Sequence, residues 1–164
     1  MKKIFTISLM LLMIAWFSVC HALSANHMNA GGVYIGQSRT EVVSIYGKPS
    51  SSSSQQITAG ARHTETKYEY GKFGTTFTIL FEGDRVGLVT VSGNNGIATS
   101  DGIKVGTHVS EVKRILGPGR EFKDGKHRII YEQDDTPAGY LPQTMTFYFE
   151  NNKVSMFRIW NGQG

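Results

Sequence analysis

The side chains that could carry out chemistry are few in this sequence and lie far apart. Beyond the N-terminal apolar segment, no two histidines have the His-x-x-x-His spacing typical of a metal site: His27, His63, His108 and His127. The one cysteine is Cys20. Asp134 and Asp135 are a possible carboxylate pair for acid–base catalysis, but adjacent residues of a strand point to opposite sides. The sequence therefore predicts no metal, no cofactor and no catalytic residue, and we expect the protein not to be an enzyme.

Two short patterns resemble catalytic or nucleotide-binding motifs without completing them. Residues 50–54 are consecutive serines, but the Gly-x-Ser-x-Gly pattern of a nucleophile elbow is absent. Residues 117–119 read Gly-Pro-Gly without the Gly-Lys-Ser/Thr of a phosphate loop, so they predict the end of a helix. The formal net charge is +4, and no cluster of Lys and Arg is interleaved with aromatic residues. We therefore expect no nucleic-acid partner.

The N-terminal residues predict an export signal. Lys2 and Lys3 precede an apolar stretch over residues 4–19 that carries no charge, and Ala22 follows at a position suited to signal peptidase. Residues 1–22 are therefore predicted to be a cleaved signal peptide, with cleavage after Ala25 as an alternative. A lipoprotein anchored through Cys20 is a further alternative, although Val19 stands where such signals prefer a smaller residue. We expect a periplasmic or extracellular protein that contacts a membrane only if Cys20 is lipidated.

The strongest pattern in the chain is an internal repeat. Residues 32–47 recur at residues 102–117, and six matched positions are identical: three glycines, a Glu, a Val and an Ile. Such self-similarity indicates one structural unit that occurs twice. The sequence predicts a first repeat over residues 31–96 and a second over residues 97–164.

Each copy predicts a short helix with recognisable ends. Ser38 and Glu41 form a capping box, and Val42, Ile45 and Tyr46 form an apolar stripe. Gly47 and Pro49 stop this helix. The second copy repeats the pattern through Glu111, Val112, Ile115, Leu116 and Gly117, but its cap position is His108, a poorer cap.

After each helix the apolar pattern acquires a period of two. Phe77, Ile79 and Phe81 share one face of a strand, and Met145, Phe147 and Phe149 share one face of another. Polar turns then lead to strands over residues 86–92 and 154–160, and earlier strands are predicted over residues 66–70 and 128–132. The serine-rich residues 50–56 and the charged residues 119–126 are interpreted as loops. The predicted fold class is α+β, with two tandem repeats that each pack a short helix on an antiparallel β-meander.

This pattern resembles a known superfamily. A Gly-x-Ser/Thr-x-x-Glu-Val helix that ends in a Gly-x-Pro stop, a strand containing Tyr, and a Phe-to-Val hairpin resemble the SmpA/OmlA (BamE-like) domain and the tandem repeats of the beta-lactamase inhibitor protein family. The first copy carries the resemblance through Gly36, Ser38, Glu41, Val42, Gly47, Pro49, Tyr70, Phe81 and Val86. The second copy carries it through Gly106, Glu111, Val112, Gly117, Tyr131, Phe149 and Val154, with Gly119 where the first copy has Pro49. The resemblance implies two units side by side whose combined sheet presents side chains to another protein.

The residues expected to contact that protein lie on strands whose other face supplies the core. They are Tyr148, Phe157, Arg158 and Trp160, supported by Tyr140 and Leu80. Both faces of the final strand carry large apolar groups, so alternation alone leaves its buried face open. We expect an exported, noncatalytic protein-binding module of the cell envelope; the alternative is an outer-membrane assembly accessory (lipo)protein of the SmpA/OmlA type.

Overall fold

The computed structural model describes residues 23–56, 64–72 and 76–162. The predicted signal peptide, residues 1–22, and His63 lie outside the described residues. The first elements of the described residues are a short 3-10 turn, Ala25–His27, and a two-stranded sheet of β1 (Asn29–Ala30) and β2 (Val33–Tyr34).

Two helices and eight strands of one larger sheet follow. In chain order they are α1 (Arg39–Tyr46), β3 (Ser51–Gln56), β4 (Thr64–Tyr70), β5 (Phe77–Glu82), β6 (Arg85–Ser92), α2 (Val109–Leu116), β7 (Arg120–Phe122), β8 (Arg128–Glu132), β9 (Gln143–Glu150) and β10 (Lys153–Asn161). The strand order across the sheet is β3-β4-β5-β6-β10-β9-β8-β7, and every pairing is antiparallel. The predicted α+β class is confirmed. Each helix has eight residues, and in the described ranges no helix has the length and apolar character needed to cross a membrane.

The ends of α1 follow from the predicted capping box. The Ser38 hydroxyl accepts a hydrogen bond from the Glu41 N–H at 3.3 Å, and the Glu41 carboxylate accepts one from the Ser38 N–H at 2.8 Å. The Ser38 hydroxyl also donates to the Glu41 carboxylate at 2.6 Å, and this bond, together with the one from the Ser38 N–H, holds the pKa of Glu41 below its ordinary value. Gly47 ends the helix with a φ of 72°, a conformation that glycine adopts without steric cost. At α2, Nδ1 of His108 takes the capping role by accepting from the Ser110 N–H at 3.2 Å.

The core lies between the helices and one face of the large sheet, which we call the inner face. The two predicted apolar faces, on β5 and on β9, are confirmed: Phe77, Ile79, Phe81, Met145, Phe147 and Phe149 are all buried there. The helices close this layer with Val42, Val112 and Leu116. The predicted stripe on α1 is wrong at Ile45, which is 50% exposed. The other two residues of the stripe, Val42 and Tyr46, contact the core as predicted, and the Tyr46 hydroxyl donates to the Gly31 carbonyl at 2.5 Å.

The two segments interpreted as loops contain the edge strands of the sheet, which corrects that interpretation. All six residues of β3 pair with β4, and the Ser51 hydroxyl donates to the Glu69 carboxylate at 2.7 Å. At the opposite edge, β7 pairs with β8. Serine has little intrinsic preference for strands, but an unpaired neighbouring strand offers a row of backbone donors and acceptors that a polar segment can satisfy. The composition of the segment does not indicate that such a neighbouring strand is present.

The backbone segment before each helix contacts the last strand of the same half. The Gly36 N–H donates to the Val86 carbonyl at 2.8 Å, and the Gly106 N–H donates to the Val154 carbonyl at 2.8 Å. These bonds tie the start of α1 to β6 and the start of α2 to β10, the two strands that pair at the centre of the sheet. The helices are therefore held on the same side of the sheet by backbone contacts as well as by the core.

Candidate functional site

The face of the large sheet opposite the helices, here called the outer face, carries the candidate site. Alternation along β10 positions it: Phe157 and Ile159 are fully buried on the inner face, whereas Arg158 is exposed and Trp160 is half-buried on the outer face. Because the buried residues hold β10 in register, its polar and aromatic side chains project from a rigid strand.

A groove of about 240 Å³ lies on the outer face of β6, β8, β9 and β10. It is lined by Leu88, Arg128, Ile130, Thr146, Tyr148, Arg158 and Trp160. Thr146 and Ile130 are only 4% and 5% exposed, although they face away from the core. The larger side chains around them therefore shield them and form the walls of the groove.

A second depression, of about 430 Å³, adjoins the groove. Its lining includes Lys126, Glu150, Ser155 and Met156, and it shares Tyr148 and Arg158 with the groove. The guanidinium carbon of Arg158 lies 5.8 Å from the centre of the Tyr148 ring. Arg158 and Tyr148 therefore form the ridge between the two depressions, and a molecule that lies across both would contact them.

The arginines on this part of the outer face differ in whether a carboxylate lies beside them. Arg120 forms an ion pair with Glu132 at 2.7 Å, and Arg128 lies 3.8 Å from the exposed carboxylate of Asp124. Among the described residues, no carboxylate lies within ion-pair distance of Arg158. Its charge therefore faces solvent beside an aromatic ring.

The structure brings together part of the predicted set. Tyr148, Arg158 and Trp160 line one groove. Leu80 lies at the edge of this groove, because it is the cross-strand partner of Leu88, which is itself the cross-strand partner of Trp160. Tyr140 is 75% exposed, but it lies between β8 and β9 and lines a different depression with Thr136, Pro137 and Leu141.

The prediction for Phe157 is wrong. Its ring is fully buried and lies 5.6 Å from the ring of Phe147, so it belongs to the core and is inaccessible to a partner. Large apolar groups occur on both faces of β10, and packing against Phe147 selects the face that carries Phe157.

Sequence reasoning missed the part of the site that β8 contributes. Arg128 and Ile130 line the groove, and they alternate with Ile129 and Tyr131, which face the core. Alternation along β8 could have indicated its outer face. However, Ile130 on the outer face has the same residue type as Ile129 in the core, so residue type alone does not separate the two faces.

The titratable groups outside the groove form small structural pairs. The Glu121 carboxylate accepts hydrogen bonds from Lys113 at 2.8 Å and from His127 at 2.7 Å, and these bonds lower the pKa of Glu121 to about 2. His27 lies 2.9 Å from Asp101, which ties the N-terminal turn to the segment before α2. Within the described ranges, no three His, Cys, Asp or Glu side chains cluster as a metal site would require.

Comparisons with known proteins identify a shared fold. No family model matches the chain, and no curated protein matches it. A cysteine-rich secretory protein from Staphylococcus aureus subsp. aureus Mu50 is similar with a TM-score of 0.53 and 15% identity over 84% of this chain and 48% of that one. An extracellular protein containing an SCP domain from Bacillus anthracis str. Ames is similar with a TM-score of 0.52 and 12% identity over 85% of this chain and 46% of that one. The chain thus spans about half the length of both proteins.

A third match extends over almost the full length of both proteins. It is a proposed beta-lactamase inhibitor protein from Streptococcus mutans, matched over 93% of this chain and 96% of that one at 16% identity. Its TM-score of 0.34 is too low to indicate the same overall fold.

Proposed function

We propose that the protein is an exported, noncatalytic module that binds another protein through the outer face of β8, β9 and β10. The observation that carries this proposal is the alternation on β10, where fully buried Phe157 and Ile159 flank exposed Arg158. Arg, Trp and Tyr are the residues most enriched among side chains that dominate protein–protein binding energy. Here Arg158, Trp160 and Tyr148 line one groove on a rigid sheet.

Export is supported by two independent features. The sequence of residues 1–22 has the charged start and apolar stretch of a signal peptide. The two proteins of similar fold are described as secretory and extracellular. A periplasmic or extracellular location follows if the signal is cleaved.

We also propose that the two halves are tandem repeats, as the resemblance to the BamE-like domain and the beta-lactamase inhibitor protein family implies. Each half consists of a helix followed by four antiparallel strands. A tyrosine of the second of these strands donates to the glycine that ends the helix in both halves: Tyr70 to Gly47 at 3.2 Å, and Tyr131 to Gly117 at 3.0 Å. Similar contacts at matched places support a duplication.

The repeats differ where the proposed binding surface lies. The Val86 carbonyl in the first half and the Val154 carbonyl in the second accept equivalent backbone hydrogen bonds. When the two halves are aligned at these valines, Thr90 corresponds to Arg158 and Ser92 corresponds to Trp160. The first half thus has small hydroxyl side chains where the second half has a guanidinium and an indole. A shared fold requires neither, so the difference supports a binding role for the second half.

Affinity capture from the native envelope with a matched pair of double variants tests the proposal. The variant R158A/W160A removes the groove side chains, and the control E65A/K67A removes two side chains from the outer face of β4, three strands from β10. We expect the wild-type protein and E65A/K67A to capture the same amount of one partner, and R158A/W160A to capture at least about tenfold less. Thermal unfolding of each variant shows whether it is folded. Equal capture by two folded double variants would contradict the proposal.

A further inference from the structure

We infer that the partner segment bound at this groove is acidic: a carboxylate next to an apolar side chain, lying across Arg158 and Tyr148. This inference rests on the proposed function and adds the chemistry of the partner to it.

The groove has room for one apolar side chain. Its volume is about 240 Å³. Leu88 and Trp160 supply apolar walls, and the nearly buried Ile130 and Thr146 supply the floor. One inserted apolar side chain would cover these groups, and the chain that carries it would continue over the adjoining depression.

The charges at the rim favour a carboxylate beside that side chain. Within the described part of the chain, the two depressions are lined by three cations, Lys126, Arg128 and Arg158, and by one carboxylate, Glu150. The guanidinium of Arg158 lies beside the Tyr148 ring, so it is held close to where a bound segment would pass. A planar guanidinium binds a carboxylate with two parallel hydrogen bonds, and such charge-assisted bonds are stronger than neutral ones. An acidic segment therefore fits both the shape and the charge of this surface.

One carboxylate that a second copy of the chain could offer to this surface is already engaged. Acidic side chains do occur on the outer face of β4, but the Glu69 carboxylate already accepts from Lys67 at 2.6 Å and from Ser51 at 2.7 Å. These bonds hold the pKa of Glu69 below its ordinary value and occupy its oxygens. A copy that offered Glu69 to Arg158 would have to give up these bonds.

Trp160 provides a direct readout of the groove. The chain contains two tryptophans, Trp16 and Trp160. In the full chain carrying W16F, the tryptophan fluorescence therefore reports Trp160 alone. The probe is the capped peptide acetyl-Ser-Glu-Leu-Glu-Ser-amide, and its analogue with Gln in place of both Glu residues is the matched control.

We expect saturable change of the Trp160 fluorescence with the Glu peptide, and at least about tenfold weaker binding of the Gln peptide. R158Q should weaken binding of the Glu peptide at least about tenfold. The matched control K67Q removes a cation from the outer face of β4, three strands from β10, and should leave binding unchanged. Raising the salt concentration from about 50 to 500 mM should weaken binding of the Glu peptide, because the charges are at the surface.

Several results would overturn the inference. One is that the Glu peptide does not bind, and another is that the Glu and Gln peptides bind equally. A third is that tripolyphosphate binds as tightly as the Glu peptide, because that result would indicate a general anion site. Concentration-dependent dimerisation that R158Q abolishes would assign the groove to a second copy. If the groove variants lose a captured partner while the Glu peptide does not bind, the inference fails and the proposed function stands. If they lose no partner, both fail.

Discussion

Arg158 lies over the ring of Tyr148, with its guanidinium carbon 5.8 Å from the ring centre, on neighbouring strands of the outer face. A cation–π contact at an exposed site contributes about 0.5–1 kcal/mol. That is enough to favour one orientation of a long, flexible side chain, but it does not neutralise the charge. Arg158 is therefore positioned before a partner arrives, which reduces the entropy that binding must overcome.

The orientation of β10 predicts that two adjacent substitutions lower the stability by very different amounts. Phe157→Ala should lower the free energy of unfolding by about 3–5 kcal/mol because it leaves a cavity beside Phe147. Arg158→Ala should lower it by no more than about 1 kcal/mol because Arg158 is exposed and loses only its contact with the Tyr148 ring. Urea denaturation of both variants measures the difference. A large loss from R158A together with a small loss from F157A would reverse the assigned faces.

The sequence predicted the helices and inner strands because several local signals agreed there. At α1, the capping box of Ser38 with Glu41 and the stop at Gly47 define both ends. On β5 and β9, alternation assigns every inner residue correctly. Local propensity and the tertiary structure point to the same answer in these elements.

The errors arose where the deciding contact comes from distant parts of the chain. Phe157 is buried because its ring packs against Phe147 on the inner face. Tyr46 of α1 packs against the core and bonds to Gly31, whereas Ile45 is exposed. The serine-rich β3 forms because β4 offers it an edge. The groove has the same dependence, since Leu88, Ile130 and Trp160 come together only when the four strands β6, β10, β9 and β8 are in register. A single sequence does not report such pairings.

The ion-paired Glu121 predicts a specific loss of stability in acid. Its pKa is lowered from 4.5 to about 2, chiefly by the hydrogen bond from Lys113 and then by that from His127, with Lys123 at 3.7 Å. A lowered pKa means that the charged form is stabilised by folding, so this contribution is complete above about pH 5 and is lost as the pH falls from 4.5 towards 2.

Glu121→Gln isolates this effect because it removes the titrating group and keeps the shape of the side chain. We expect the wild type to exceed E121Q in free energy of unfolding at pH 6–7, by an amount that shrinks as the pH approaches about 2.5. Denaturation curves at several pH values measure it. A difference that stays constant over this range would show that the carboxyl is not stabilised in its charged form.

The proposed repeats predict equal roles for two tyrosines. Tyr70→Phe and Tyr131→Phe each remove a hydrogen bond to the glycine that ends a helix, so each should cost about 0.5–1.5 kcal/mol. The loss should be larger for Y131F because Tyr131 is 4% exposed. The exposed Tyr140→Phe is the matched control and should have no effect on thermal stability. An effect from only one of the two would weaken the equivalence of the halves.

The packing of Leu23 predicts the start of the mature protein. Leu23 is 3% exposed in the core, and its carbonyl accepts from the Asp134 N–H at 3.3 Å. Cleavage after Ala25 would remove a buried leucine, worth about 1.5–3 kcal/mol, whereas cleavage after Ala22 would retain it. We therefore expect mass spectrometry of the exported protein to show Leu23 at its N-terminus. A lipid-modified Cys20 would instead support the outer-membrane accessory role.

Photo-crosslinking in the native envelope tests the central claim most directly, because it reports which surface touches another protein. With p-benzoylphenylalanine in place of Met156, which lines the depression beside Arg158, we predict one discrete adduct with a second protein. The same residue in place of Lys67, on the outer face of β4, should give none. Adding R158A to the first variant should abolish the adduct. A Met156 variant that gives no adduct, or adducts of equal yield from both positions, would contradict a binding surface on β8, β9 and β10.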